Sequence, residues 1–435
     1  MVDDANQNPD DPFRGTPFEG MFQMFGASQP DMGNMMSMVR QFMQPYRGPV
    51  NYDLARKTAR ETVHSIGPDP APSIGQRNAV QDAMRLADMW LDRATALPSP
   101  ARHAVTWTRD EWVEQTLPEW KSMISPLAVN AIQTMEDSVP DEARAMIGPL
   151  AGMLKQAGGA LFGQQLGTGL GHLSSDVLSS TDIGLPLGPH RAIAIVPHNV
   201  AELAKSLELP ETDVFLYVVL RENAHLRLFH HATWLRVALL NAIEEFGKGM
   251  GINVESIEER IRSIDPSDPA AIQEALNAGM FEPEATPAMQ KSRERLELLL
   301  ALIEGWVDEV VGQATADTMP TTHALAEAMR RRRVTKGPAE EAFASLVGLE
   351  LRPRRLRDAA ALWGALRDRE GPAARDAIWG HPDLAPTMAD LDDPLGFGRE
   401  TESGLSDAEF DAALEQLLDE GTGPDGGSDN QPDAE

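Results

Sequence analysis

The chain has no cysteine, which excludes disulfides and every zinc or iron–sulfur site built on thiolates. Basic residues are scarce as well: 38 Lys and Arg stand against 67 Asp and Glu, for a net charge of -29. Such a balance argues against a general binder of nucleic acid or anionic membrane. No uninterrupted run of about 18 apolar residues occurs, so no transmembrane helix is expected. The start, Met1-Val2-Asp3-Asp4, is acidic where a signal peptide would be basic, and no apolar segment follows it. There is no Walker A lysine among the glycines and no G-x-S-x-G elbow. These absences lead to the expectation of a soluble cytoplasmic protein.

What is present is 42% hydrophobic residues over 435 positions, enough for a large folded body. Residues 1–48, rich in Met, Pro, Gly, Asn and Gln, read as a flexible tail, with Met35 to Met43 able to form one short amphipathic helix. Residues 399–435 carry twelve acids against one Arg and read as a second disordered tail around an amphipathic stretch at 406–418. Between them, 49–398 reads as one mainly helical domain with a small β component.

Within that domain, apolar residues recur at three- and four-residue spacing over 52–66 and 74–95. Thr108 followed by Glu111 is a capping box opening another helix. Trp107, Trp112 and Trp120 read as core anchors. The glycine-rich run 151–173 reads as a helix against which another packs closely. Residues 191–197 are the clearest strand, followed by a short helix over 199–207. Residues 213–246 form one long helix or two in tandem, and further helices are expected at 252–316, 322–336, 338–347 and 354–367.

The centre of 213–246 reads Arg221-Glu222-Asn223-Ala224-His225. Glu followed three residues later by His is the back half of H-E-x-x-H, in which two imidazoles one helical turn apart hold zinc and the Glu acts as general base. Arg221 occupies the first ligand position, and a guanidinium cannot bind a metal. Glu304 and Asp308, spaced i, i+4 on a later helix, match the third ligand and the carboxylate that orients an imidazole in thermolysin-type sites. The reading is therefore Glu222 as base, His225 and Glu304 as metal ligands, and Arg221 with Asp308 as their charge partners. Ala194 and Val196 on the strand would offer a backbone edge to a peptide substrate.

The segments Thr108–Trp120, Leu220–Leu235, Leu302–Asp308 and Gly348–Asp358 resemble the actinobacterial zinc-dependent metalloprotease-like family of hydrolases, related to a family associated with coenzyme F420 biosynthesis. The resemblance spans roughly 50–398 and implies a zincin-like fold, zinc as cofactor, and a peptide or protein as substrate or partner. Arg221 is the departure from its motif. With only His225 and Glu304 left, the site falls one ligand short of the usual three, and the guanidinium would pair with the waiting carboxylates instead. Two functions follow: a metallopeptidase-like hydrolase, or a non-catalytic descendant that binds protein. His230 and His231 lie roughly 140° and 240° round the helix from His225 and read as helix-end residues. The run Arg330–Arg333 reads as a solvated helix face balanced by nearby acids.

Overall fold

The computed structural model describes residues 46–137, 141–249, 286–334 and 352–399. The tail helix at 35–43, the helices expected in 252–285 and 338–347, and the acidic stretch from 400 onward lie outside the described residues.

The chain opens with α1 (Tyr52–Ile66) and α2 (Ile74–Leu91). Asn51 caps α1 by accepting from Leu54 N, and Ser73 with Gln76 forms a full capping box on α2, so both starts are fixed by short polar side chains. A short strand, β1 (His103–Thr106), precedes α3 (Arg109–Asp137). The Thr108–Glu111 capping box forms as expected: Thr108 N donates to Glu111 Oε2 at 2.9 Å and Glu111 N to Thr108 Oγ1 at 3.0 Å. Trp107, Trp112 and Trp120 are all buried.

The glycine-rich run belongs to α4 (Asp141–Asp176), and its packing role is borne out. Gly159, Gly163, Gly167 and Gly171 lie four apart on one face, and α1 with its approach segment lies directly on them. A Cβ added at Gly163 would stand 2.4 Å from Asn51 O, and one at Gly167 2.3 Å from Ala55 O. Only a hydrogen fits between these backbones.

Strand β2 (Ala192–Ile195) pairs in parallel with β1, His103 opposite Ala192 and Thr106 opposite Ile195. The partner strand β1 falls in a stretch that reads as helical from sequence. Then come α5 (Pro197–Leu207), α6 (Glu211–His231) and α7 (Thr233–Gly249), so the 213–246 stretch is two helices, broken at Ala232. Helix α6 is buried at every position from Tyr217 to Leu228, which marks it as the central element. Against it pack α2, α5 and α8 (Pro287–Thr315). Helix α8 runs beside α7 and α10 (Leu356–Glu370), and α9 (Thr322–Val334) folds back over its end. Helix α11 (Pro372–Ala377), two 3-10 turns over 378–384 and α12 (Met388–Asp392) close the described chain. The body is mainly helical with a two-stranded sheet among the described residues, as expected.

Candidate functional site

Arg221 and His225 sit one turn apart in the middle of α6, both buried. Glu304 and Asp308 sit one turn apart in the middle of α8, also buried. Packing of the two helices brings the four together. Arg221 Nη2 donates to Glu304 Oε2 at 2.6 Å, and its Nη1 lies 3.9 Å from Asp308 Oδ1. His225 Nδ1 donates to the Arg221 carbonyl at 2.9 Å, which turns Nε2 toward Glu304 Oε1 at 3.3 Å.

The arginine run on α9 supplies the rest, where the sequence alone leads one to expect a solvated face. Arg330 donates to Asp308 Oδ2 from Nε at 3.1 Å and from Nη2 at 3.0 Å. Arg333 Nη2 approaches Glu304 Oε1 at 3.6 Å. Arg332 binds Asp182 at 2.8 Å, and the Arg331 head alone stays in solvent, beside Glu327. Gly184, at φ +77, backs onto this group: a Cβ there would lie 3.2 Å from Glu304 Oε1 and 3.4 Å from Arg333 Nη2.

Burial by itself would raise the Glu304 carboxyl, but Arg333, His225 and Arg221 outweigh it and hold the group down at about 2. Burial would likewise weaken the Arg221 cation, yet Glu304, Tyr217 and Asp308 raise its pKa above the ordinary value. Tyr217, one turn before Arg221, is pushed up to about 12 by burial. The group is thus a buried lattice of fixed charges whose members stabilise one another's ionised forms.

Glu222 does not join it. Its Oε1 accepts from Ser180 Oγ, and its Oε2 accepts from Thr181 N at 3.1 Å and from Thr181 Oγ1. The side chain ties α6 to the 180–181 turn and makes no ion pair with the arginines among the described residues. Strand β2 differs from expectation too. Ala194 and Val196 are buried, Ala194 O accepts from Ser180 N at 3.1 Å, and Val196 N donates to Leu178 O at 2.9 Å. With β1 on one side and residues 178–180 on the other, the Ala194 carbonyl and the Val196 amide are already taken. His190 borders a surface cleft and His198 faces Glu202 at 3.5 Å; neither reaches Glu304. His230 and His231 end α6, as read from their angles.

Zinc does not fit these residues. Glu304 Oε2 is held by a guanidinium, Oε1 faces Arg333, and a dication would have to sit among three arginines. His225 Nε2 and Glu304 Oε1 are two donor atoms, and no group of three metal-binding side chains occurs among the described residues. No described helix is long and apolar enough to cross a membrane.

A crystal structure described as "a putative hydrolase with a novel fold from Chloroflexus aurantiacus" superposes with a TM-score of 0.56 at 19% identity, over 81% of this chain and 100% of that one. At that identity the likeness concerns the fold. No curated protein matches the chain. The model of one family, described as zincin-like metallopeptidase, matches residues 50–397, the whole folded body with both site helices. The chain therefore belongs to the zincin-like metallopeptidase family.

Proposed function

We propose that this chain is a non-catalytic member of its family, a metal-free zincin-like domain over residues 49–398 that binds peptides or proteins. The observation that carries this reading is the buried 2.6 Å pair between Arg221 and Glu304. The guanidinium stands where the motif would place a ligand, and it occupies the carboxylate that would complete the zinc site. The buried acids have their counter-charges without metal: the four guanidiniums of Arg221, Arg330, Arg332 and Arg333 face the three carboxylates of Glu304, Asp308 and Asp182. Glu222, the general base of an active member, is engaged by three donors on residues 180 and 181, which tie it to that turn. Within the family we assign the chain to the actinobacterial group on the segments quoted above, and to the cytoplasm.

A second reading, an active metallopeptidase, has one observation in its favour. His225 Nε2 and Glu304 Oε1 are buried, close together and without hydrogen-bond partners. The test compares wild type with Arg221→His for zinc uptake and for cleavage of an unfolded casein substrate. The non-catalytic reading expects no zinc-dependent cleavage by wild type and zinc uptake only by the variant. Zinc-dependent, chelator-sensitive cleavage by wild type would overturn it.

A further inference from the structure

A cleft of about 390 Å³ opens between the 186–191 turn and the junction of α6 with α7. Four ionisable side chains line it, His190, Arg191, His230 and Arg236, and all four are basic. No acid among the described residues lines it, in a chain with 67 Asp and Glu. In so acidic a protein, a concave surface free of carboxylates is a selective environment for an anion.

The state of the four side chains supports this. Arg191 is exposed, and its guanidinium pairs with no acid among the described residues. Arg236 gives Nη2 to Glu119, while its Nη1 is buried without a hydrogen-bond partner. Burial first, and then the neighbouring His231, Arg191 and His190, push the His230 imidazole below its ordinary pKa. The remaining wall is apolar, with Leu226 and Phe229 from α6 beside Pro186 and Pro189. Ser180 and Thr181 form the floor, but their hydroxyls already donate to Glu222, which leaves recognition of charge to the arginines.

We propose that this cleft binds a carboxylate carried next to an apolar group, as at the C-terminus of a peptide ending in Leu or Phe. A guanidinium fork matches a planar carboxylate in two parallel hydrogen bonds, and the Leu226–Phe229 wall takes the neighbouring side chain. The proposal rests on the peptide-binding reading above and names the class of ligand. It does not depend on the metal question, because zinc uptake reads Glu304 and peptide affinity reads the cleft.

The experiment is calorimetric titration of the full chain with acetyl-Ala-Leu-Phe as free acid and as C-terminal amide. The acid binds, and the amide binds at least about tenfold more weakly because the charge-assisted pair is lost. Arg191→Ala weakens the acid by about tenfold, whereas Arg331→Ala, an exposed arginine remote from the cleft, leaves it unchanged. Hexanoate that competes as well as the peptide keeps the carboxylate site and identifies a free organic acid as its source; weak competition identifies a peptide. Equal binding of acid and amide, no binding, an unaffected Arg191→Ala, or displacement by inorganic phosphate in preference to hexanoate would each overturn the proposal. Failure here alongside a zinc-free wild type would discard the cleft alone and leave the Arg221 reading standing.

Discussion

Glu304 meets Arg221 on one oxygen and both His225 and Arg333 on the other, and this crowding ties its protonation to stability in acid. Its carboxyl is lowered from an ordinary 4.5 to about 2. Because the folded value is depressed, its contribution to stability is complete above about pH 4.5 and is lost as pH falls toward 2. At about 1.4 kcal/mol per pH unit, that contribution is about 3 kcal/mol. Thermal unfolding between pH 2 and 6 should therefore steepen below pH 4.5 in wild type, and Glu304→Gln should flatten that limb. A variant with the wild-type acid slope would show that the carboxylate is not coupled to the lattice. Glu304→Ala, which leaves Arg221 and Arg333 buried without their shared anion, should lose about 3–5 kcal/mol at pH 7, read by chemical denaturation. The encounter of Arg221, His225, Glu304 and Asp308 was legible in the sequence through its likeness to a thermolysin-type arrangement, since i, i+4 spacing fixes what shares a face of one helix but not which helices meet. The entry of Arg330 and Arg333 was not. Four consecutive arginines look solvated, and only the folding of α9 over α8 sends three of them to acids and leaves Arg331 outside.

At the scale of the element, α4 and the α11 region show how helices are held around the site. Gly163 allows the Asn51 carbonyl to approach so closely that a Cβ would stand 2.4 Å from it, whereas Gly152 on the same helix has nothing within 4 Å. Gly163→Ala should thus cost about 1–3 kcal/mol by forcing the helices apart, while Gly152→Ala should gain up to about 1 kcal/mol from helix propensity. Equal melting temperatures for the two variants would contradict the close packing. Asp376 locks α11 to α8 and to the end of α2: it accepts from Trp306 Nε1 at 2.9 Å, Arg375 Nε at 2.8 Å, Thr95 Oγ1 at 2.6 Å and Ala96 N at 2.7 Å. Asp376→Ala removes the acceptor of all four, three of them in buried bonds, and should cost about 3–5 kcal/mol, measured by denaturant unfolding. The helix at 52–66 was readable from its periodicity. Strand β1 was not, since four residues carry too short an alternation to stand out, and its structure comes from pairing with β2. The substrate edge failed for the same reason: a strand's free side is set by whatever else pairs with it, here residues 178–180.

At the scale of the whole molecule, the proposed reading separates family from chemistry. The zincin-like family match spans residues 50–397, and on the proposed reading Arg221 supplies positive charge to Glu304 without offering a lone pair to a metal. Such a substitution would keep the two site helices packed while removing the Lewis acid, so fold and activity can part company. The most direct measurement is the zinc content of the purified, untagged full chain, by elemental mass spectrometry after zinc loading and dialysis into metal-free buffer without chelator. The arginine-for-metal account predicts a wild type that retains no stoichiometric zinc. About one zinc per chain, lost in Glu304→Ala, would contradict it and return the protein to the active metallopeptidases.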